Sequence, residues 1–397
     1  MKVRKFNGFR TAITEPDYFF GRTEFLKEIS RSPLGLKILL GGRRIGKTSA
    51  LRAIEWSLLD PEFKGKTRAF PVMVNLQIHK PKGCDNFLYI LISLLRQSIE
   101  RWKNIKKSKL HETYRLYRKQ ITGGQVSLGP FLKLNVNNPD HERRLNHDDF
   151  KHILQKSIKE LRDKYNFVGI CFLVDEAELL IKQQWGDDAS SYIRGICDND
   201  EELNPFLGFI FSGYRDLKNY SQKGGVSPFA NIASKYWLCA LNESEARRLI
   251  EFRANEEGVP LTKNGRAKVI QLSGCHAFIL QQLLNCIFDI YHQNQTISLY
   301  ALKEDSLFNH HQDFSRWWNS DNKSDGFGEE ERCVYKTFME NPKRSIKELV
   351  NIMDLTLNTI KSALQVLTGT GVLRQLDHKH YEINSLLFKA WVQQECI

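Results

Sequence analysis

No apolar run in this 397-residue chain approaches the roughly 20 residues that a membrane-spanning helix needs. The N-terminus, Met1-Lys2-Val3-Arg4-Lys5-Phe6-Asn7, is basic but has no apolar core behind it, so no secretory signal is expected. There is no C-x-x-C pair: the cysteines stand apart at 84, 171, 197, 239, 275, 286, 333 and 396. A zinc site is therefore not expected, and a chain of this length needs no disulfides to hold a core. Together these absences place the protein in a reducing compartment, the cytoplasm, with no membrane partner.

What is present is ordinary in bulk. A hydrophobic fraction of 41% and a charged fraction of 26% describe a globular protein with room for two or three domains. The net charge of +12 permits nucleic-acid contact without requiring it. Part of that excess is local: within 101–119 only Glu112 opposes a series of lysines and arginines. Such a run reads first as a solvated helix face, and second as a surface for an acidic partner or nucleic acid.

The most specific stretch is Gly41-Gly42-Arg43-Arg44-Ile45-Gly46-Lys47-Thr48, which fits G-x-x-x-x-G-K-[ST], the phosphate-binding P-loop. An apolar strand precedes it (36–40) and a helix beginning at Ser49 follows. Strand, glycine turn and helix is the geometry that points backbone N–H groups at phosphate oxygens. Lys47 is expected on the β- and γ-phosphates of ATP and the Thr48 hydroxyl on Mg²⁺.

Two further strands end in chemistry. Residues 168–176 form an apolar strand closing on Asp175 and Glu176. Beside a P-loop, Asp175 suits the Mg²⁺ shell and Glu176 suits a general base for water. Glu178 is expected to face solvent or a neighbouring helix. Residues 206–216 form another strand, after which Ser212 and Arg215 are either aimed at the γ-phosphate or, for Arg215, paired with a surface carboxylate. Arg194 reads as a helix-surface arginine, with action in trans on a neighbour's nucleotide as the alternative. Upstream, Phe19-Phe20-Gly21-Arg22 either starts a capped helix or walls the adenine and ribose.

The remainder organises around these landmarks. Residues 103–147 form a polar insert with a hairpin pattern near 126–136. Helices are expected over 84–106 and 147–164. Asn242 with Glu245 forms a capping-box pattern, Asn264 caps the next helix, and 272–284 opens an apolar helix. His276 at its start either reaches the nucleotide or is a capping or core histidine. Residues 301–326 read as a linker. The last stretch reads helix, helix, helix, hairpin, helix, a winged helix-turn-helix pattern with a Ser345–Glu348 capping box. Its third helix has Lys361 as its sole cation between Thr356 and Gly371, which favours protein over DNA as its contact.

The series FFGRTEFL, GGRRIGKTS, FLVDEAE, FSGYRDL, SGCHAFILQQL and terminal winged helix resembles the AAA+-related STAND ATPases, in particular the archaeal-type (AAA-like) ATPases of prokaryotes. The resemblance covers nearly the whole chain from Phe19 onward. It implies an α/β, ASCE-type core with parallel strands in the order 5-1-4-3-2, a helical lid and a C-terminal winged helix. The implied units are 1–31, 32–238, 239–300, the 301–326 linker and 327–397. It implies ATP with Mg²⁺ between core and lid. Phe20, Gly21 and Arg22 match the adenine-side box, and Asp175 and Glu176 the metal and water pair. Ser212 and Arg215 match the sensor strand, and His276 the lid position. Ala277 stands where the family often has proline, and Cys275 where it has glycine. Such proteins usually carry a further sensor or effector domain. The expectation here is that a partner supplies that part or that the insert at 103–147 is the contact surface; a protein partner or self-association is expected in either case.

The functional expectation is an ATPase of low turnover acting as a nucleotide-dependent switch. A DNA-associated AAA+ regulator or loader and a non-hydrolysing scaffold are the alternatives.

Overall fold

The computed structural model describes residues 12–13, 18–60, 68–106, 143–221, 232–293, 299–319 and 326–396. Most of the expected insert, its 126–136 hairpin and much of the basic 101–119 run lie outside them.

Five parallel strands form the central sheet: β1 (Gly35–Leu40), β2 (Ala69–Asn75), β3 (Gly169–Asp175), β4 (Leu207–Gly213) and β5 (Ser234–Trp237), in the order β2-β3-β4-β1-β5. That is the expected 5-1-4-3-2, read from the other edge. Parallel strands covered on both faces need apolar residues at successive positions rather than alternation. β3 and β4 meet this demand, with every residue buried. The register pairs Leu40 with Gly213, Val174 with Phe211 and Asn75 with Asp175. The C-terminal tips of β1, β3 and β4 therefore finish side by side, where ligands of open α/β sheets bind.

Helices α1 (Thr23–Arg31) and α2 (Lys47–Leu59) contribute to the core on one sheet face, with Ile29, Leu51, Ile54 and Leu58 fully buried. Short α3 (Leu76–His79) leads through four residues into α4 (Cys84–Lys106), which packs with α5 (His147–Tyr165) on the other face. Both long helices fall where the sequence places them. Short α6 (Glu178–Ile181), α7 (Gly186–Asp198) and α8 (Arg215–Tyr220) follow the strand tips.

A second core holds everything after β5. It joins α9 (Glu243–Glu257), α10 (Lys263–Ser273) and α11 (Ala277–His292) to the C-terminal module. That module comprises α13 (Glu329–Glu340), β6 (Lys343–Ser345), α14 (Ile346–Ile352), α15 (Leu357–Gly369), β7 (Leu373–Gln375), β8 (His380–Ile383) and α16 (Leu386–Glu395). The helix and hairpin order is the expected one, with β6 added to give a three-stranded sheet, β6-β8-β7. Both expected capping boxes form, at Asn242–Glu245 and Ser345–Glu348. Asn264 lies inside α10 instead of capping it: the Thr262 hydroxyl accepts from the Gly265 N–H at 3.0 Å.

The stretch 301–326 is not simply a linker. Most of it is α12 (Leu299–Trp318), whose Phe314, Trp317 and Trp318 are buried. Phe388 of α16 receives them, with Phe314 at 5.4 Å and Trp317 at 5.7 Å between ring centroids. Tyr335 of α13 reaches the same ring at 5.3 Å. Aromatic rings at these separations add to their area burial, so α12 welds the α9–α11 helices to the C-terminal module. Among the described residues, no helix is long and apolar enough to cross a membrane.

One buried charge marks the P-loop helix. Glu55 on α2 is 4% exposed, its Oε2 has no hydrogen-bond partner among the described residues, and burial pushes its carboxyl up to about 7. The folded state therefore holds that proton longer than the unfolded chain. The resulting stability is fully present below the ordinary carboxyl value of 4.5 and is lost as pH rises through about 7. Glu55→Gln should match wild type in urea at pH 4 and exceed it at pH 8, by on the order of 3 kcal/mol. Identical pH profiles for the two proteins would exclude this account.

Candidate functional site

The turn between β1 and α2 is a formed phosphate cradle. Gly46 takes φ 100°, a left-handed conformation that suits glycine, and leaves the N-terminus of α2 open. The Lys47 ammonium folds back to donate to the carbonyls of Gly41 (2.8 Å) and Gly42 (3.2 Å). At the neighbouring strand tip Asp175, 1% exposed, accepts from two hydroxyls. Thr48 donates to its Oδ2 at 2.7 Å and Ser212 to its Oδ1 at 2.6 Å. A P-loop residue, a β3 carboxylate and a β4 hydroxyl are thus joined through one group.

Above this junction lies a cleft of about 600 Å³. Of the expected binding residues, Phe20, Arg22, Arg43, Arg44, Ile45, Gly46, Lys47, Thr48 and Ser49 line it, as does Glu176. Glu176 is exposed with φ 58°, a strained value for a glutamate. Gly41, Gly42, Asp175 and Ser212 are not among the residues lining it. Gly21, at φ 81°, has no room for a side chain against Leu241 and Glu245. Arg22 lies closer to the P-loop than an adenine-side role requires: its Nη2 donates to the Ile45 carbonyl at 2.5 Å and the Cys239 carbonyl at 3.2 Å. Burial lowers its guanidinium to about 10, and the residue still carries charge at neutral pH.

Two expected residues stand elsewhere. Arg215 is not among the residues lining the cleft; its Nη2 meets Glu331 of α13 at 2.6 Å, with side-chain exposures of 15% and 9%. His276 is fully buried, 5.1 Å from the Trp317 ring, and also absent from the lining. Burial, with Arg22 and His310 nearby, lowers its pKa to about 3, so it packs as a neutral ring. Arg194 forms a loose i,i+4 pair with Asp198 at 3.9 Å, as a helix-surface arginine does.

Of the two settings expected for Glu178, the structure excludes solvent and shows the start of neighbouring α8. Its carboxylate accepts from the N–H of Tyr214, the N-cap of α8, lines the cleft and lies over Gly213, where a Cβ would be 2.6 Å from its oxygen. Burial raises its carboxyl, against the opposing pull of Lys47. Tyr18, Tyr214, Phe278 and Gln281 also line the cleft and were not singled out from sequence. Phe278 and Gln281 share one face of α11 by their i,i+3 spacing, a signal that was available.

The donor set fits Mg²⁺, which favours hard oxygens and takes few protein ligands beside phosphate and water. The Thr48 hydroxyl and Asp175 carboxylate are already within 2.7 Å of each other. When bound, the ion would supply charge neutralisation for phosphate oxygens.

No family model matches the chain, and no curated protein matches it in sequence. Solved structures do match. The Walker-type ATPase PABY2304 of Pyrococcus abyssi aligns over 97% of this chain and 99% of its own, at 15% identity and a TM-score of 0.56. The Aeropyrum pernix ORC2 protein, solved with ADPNP and ADP, aligns over 97% and 96% at 13% identity and a TM-score of 0.45. The ORC1 protein of the same organism, solved with DNA, aligns over 96% and 95% at 15% identity and 0.41. The chain shares the fold of that Walker-type ATPase. The first likeness carries that statement; the other two are too loose to extend it.

The Asp175 junction makes a measurable demand. Asp175→Asn keeps the side chain's shape and removes its charge. It should leave ATP binding in EDTA near wild type and reduce the gain in affinity on adding Mg²⁺ by about 10- to 100-fold. A calorimetric titration with and without Mg²⁺ checks this, and an undiminished Mg²⁺ effect would remove Asp175 from the metal shell.

Proposed function

We propose that the chain is an ATP-binding, slowly hydrolysing switch of the STAND type, whose nucleotide state sets the position of its C-terminal winged helix for a protein partner. The observation that carries this reading is a backbone hydrogen bond: the Gly42 N–H of the P-loop donates to the Gly369 carbonyl at the end of α15, at 2.8 Å. Tyr214 and Thr370 share a hydroxyl contact at 3.1 Å beside it. Arg44 of the P-loop meets Asp313 of α12 at 3.4 Å, with its guanidinium 4.9 Å from the Phe278 ring centroid. The phosphate loop and the C-terminal module are therefore in direct contact, with no intervening element to relay a change.

In this reading Lys47 holds the β- and γ-phosphates, Thr48 and Asp175 hold Mg²⁺, and Glu176 orients and deprotonates the attacking water. Ser212 keeps the Asp175 carboxylate in place. Arg215 holds α13 through Glu331 in the docked form, and release of that pair would free it for the nucleotide. To move such a switch from 1:99 to 99:1, ATP must favour one form by about 5.5 kcal/mol. Turnover is expected to be low without an arginine delivered in trans, a contribution of roughly 10³–10⁵ in rate.

A DNA-associated role fits less well with the contacts of α15. Its Ser362 carbonyl and hydroxyl are engaged by Lys218 of α8, and its C-terminal end rests on the P-loop, so much of this helix is committed to the core.

Lys47→Ala should weaken ATP binding at least about 100-fold, since it removes a charge-assisted contact in a partly enclosed site. Wild-type affinity in that variant would sink the reading. Coupling is tested at Gly42, where a Cβ would lie 2.7 Å from the Thr370 Cα. Gly42→Ala should undock α15, seen as faster amide hydrogen exchange across 366–372, and should abolish any difference in that exchange between ADP and a non-hydrolysable ATP analogue. Retention of a wild-type difference would separate the P-loop from the C-terminal module.

A further inference from the structure

Gln281 lies on α11, is 4% exposed, and lines the cleft beside Phe278. Its orientation is dictated by a buried arginine. Arg253 of α9 is fully buried, its guanidinium 4.4 Å over the Tyr18 ring, with Nη1 3.3 Å from Glu256 and Nη2 3.4 Å from the Gln281 amide oxygen. A guanidinium has donors and no acceptor, so Gln281 must present its oxygen to Arg253. Its amide nitrogen is then left with two N–H donors. That nitrogen has no hydrogen-bond partner among the described residues, yet it is not sealed in the interior. It is a fixed donor on an otherwise largely apolar and aromatic wall, formed by Tyr18, Phe20, Leu241 and Phe278.

A donor held in that way calls for an acceptor on the ligand, because burying it unpaired costs more than the bond itself returns. A nucleotide anchored by its phosphates at the P-loop inserts most deeply the base edge opposite the glycosidic bond. In adenine that edge offers N1 as an acceptor. In guanine the same position carries N1–H, a second donor. We propose that Gln281, held in register by Arg253, donates to adenine N1 and is the residue that makes this site select adenine over guanine nucleotides. Arg253 is the positioning residue of the pair. The proposal rests on the nucleotide-binding reading above and adds to it the chemical basis of base choice.

A cycle between side chain and base tests it. Equilibrium binding of ATP, 1-deaza-ATP, 7-deaza-ATP and GTP is measured for wild type and for Gln281→Leu, which keeps the bulk and removes the donor. Wild type should bind ATP about tenfold more tightly than 1-deaza-ATP and at least about tenfold more tightly than GTP, with 7-deaza-ATP close to ATP. Gln281→Leu should lose about tenfold for ATP and almost nothing for 1-deaza-ATP, so its retained affinity for the latter also reports that the variant is folded. Gln281→Glu, which puts an acceptor in place of the donor, should shift preference toward GTP. If wild type binds ATP and 1-deaza-ATP within about twofold, or if Gln281→Leu weakens both equally, the assignment to N1 is overturned. Loss with 7-deaza-ATP instead would overturn it in favour of the other edge. A wild-type protein that binds none of the four would overturn the nucleotide reading itself.

Discussion

The peptide group that joins Gly41 to Gly42 is bonded at both ends. The Gly41 carbonyl accepts from the Lys47 ammonium at 2.8 Å, and the Gly42 N–H donates to Gly369 at 2.8 Å. In the proposed switch a phosphate would compete for the first of these bonds, and docking of the C-terminal module would use the second. Gly42 is confined to glycine by Thr370, whose Cα and side chain would lie 2.6–2.9 Å from a Cβ. A group that touches the lysine through one atom and the C-terminal module through another needs no long pathway to couple them. The two events share a peptide unit, so a small shift at the lysine is felt at α15.

The other contacts across this boundary differ in weight. Arg44–Asp313 is half open to solvent and long at 3.4 Å, with exposures of 33% and 16%, so it adds little to stability. Arg215–Glu331 is more enclosed. Breaking such a pair by removing one partner costs roughly 3–5 kcal/mol, chiefly because the other charge is left buried, even where the intact pair contributes little net stability. Lys218, also at this boundary, has its pKa lowered by burial to about 8 and donates to Ser362. The boundary therefore discriminates sharply between docked and undocked geometry without resting on a large apolar core of its own. That property suits the switch proposed above. By contrast α12, with Phe314, Trp317 and Trp318 in the core shared by α9–α11 and the C-terminal module, holds those parts together as one body.

Much of this was legible in the chain. The strand tips at Asp175 and Ser212 could be placed from continuous apolar runs ending in polar groups, and both capping boxes from residue spacing. The α12 helix was legible too, and was missed: Leu307, His310, Phe314, Trp317 and Trp318 recur at helical spacing, but the polar residues between them and the run that follows suggested a linker. Glu178 was not legible. Its burial depends on Gly213, at the end of the next strand in sequence, leaving a space that only the parallel register opens, and on a Tyr214 N–H that no periodicity reveals. Arg215 and His276 show the limit of motif matching. The motif placed each near the strand tips or the start of α11, but the direction of a side chain is decided by what docks against it, here Glu331 and Trp317.

The charges of the cleft follow from the same constraint. Lys47, Arg22, Arg43 and Arg44 are gathered there against Glu176 and Glu178. Glu178 is held in its neutral form to higher pH by burial, which lessens the negative charge set against Lys47. Arg22 is half-buried and bonded to backbone carbonyls, which are dipoles and not counter-charges. Cations gathered in a partly enclosed site repel one another unless an anion offsets them, and the field is stronger there than in open water. Asp313 already offsets part of this charge at Arg44; a polyanion with several phosphates would offset more of the remainder than a monophosphate. The same reasoning assigns the phosphate end to the P-loop and leaves the Tyr18, Phe20 and Phe278 wall, with its one fixed amide donor, to the uncharged end of the ligand.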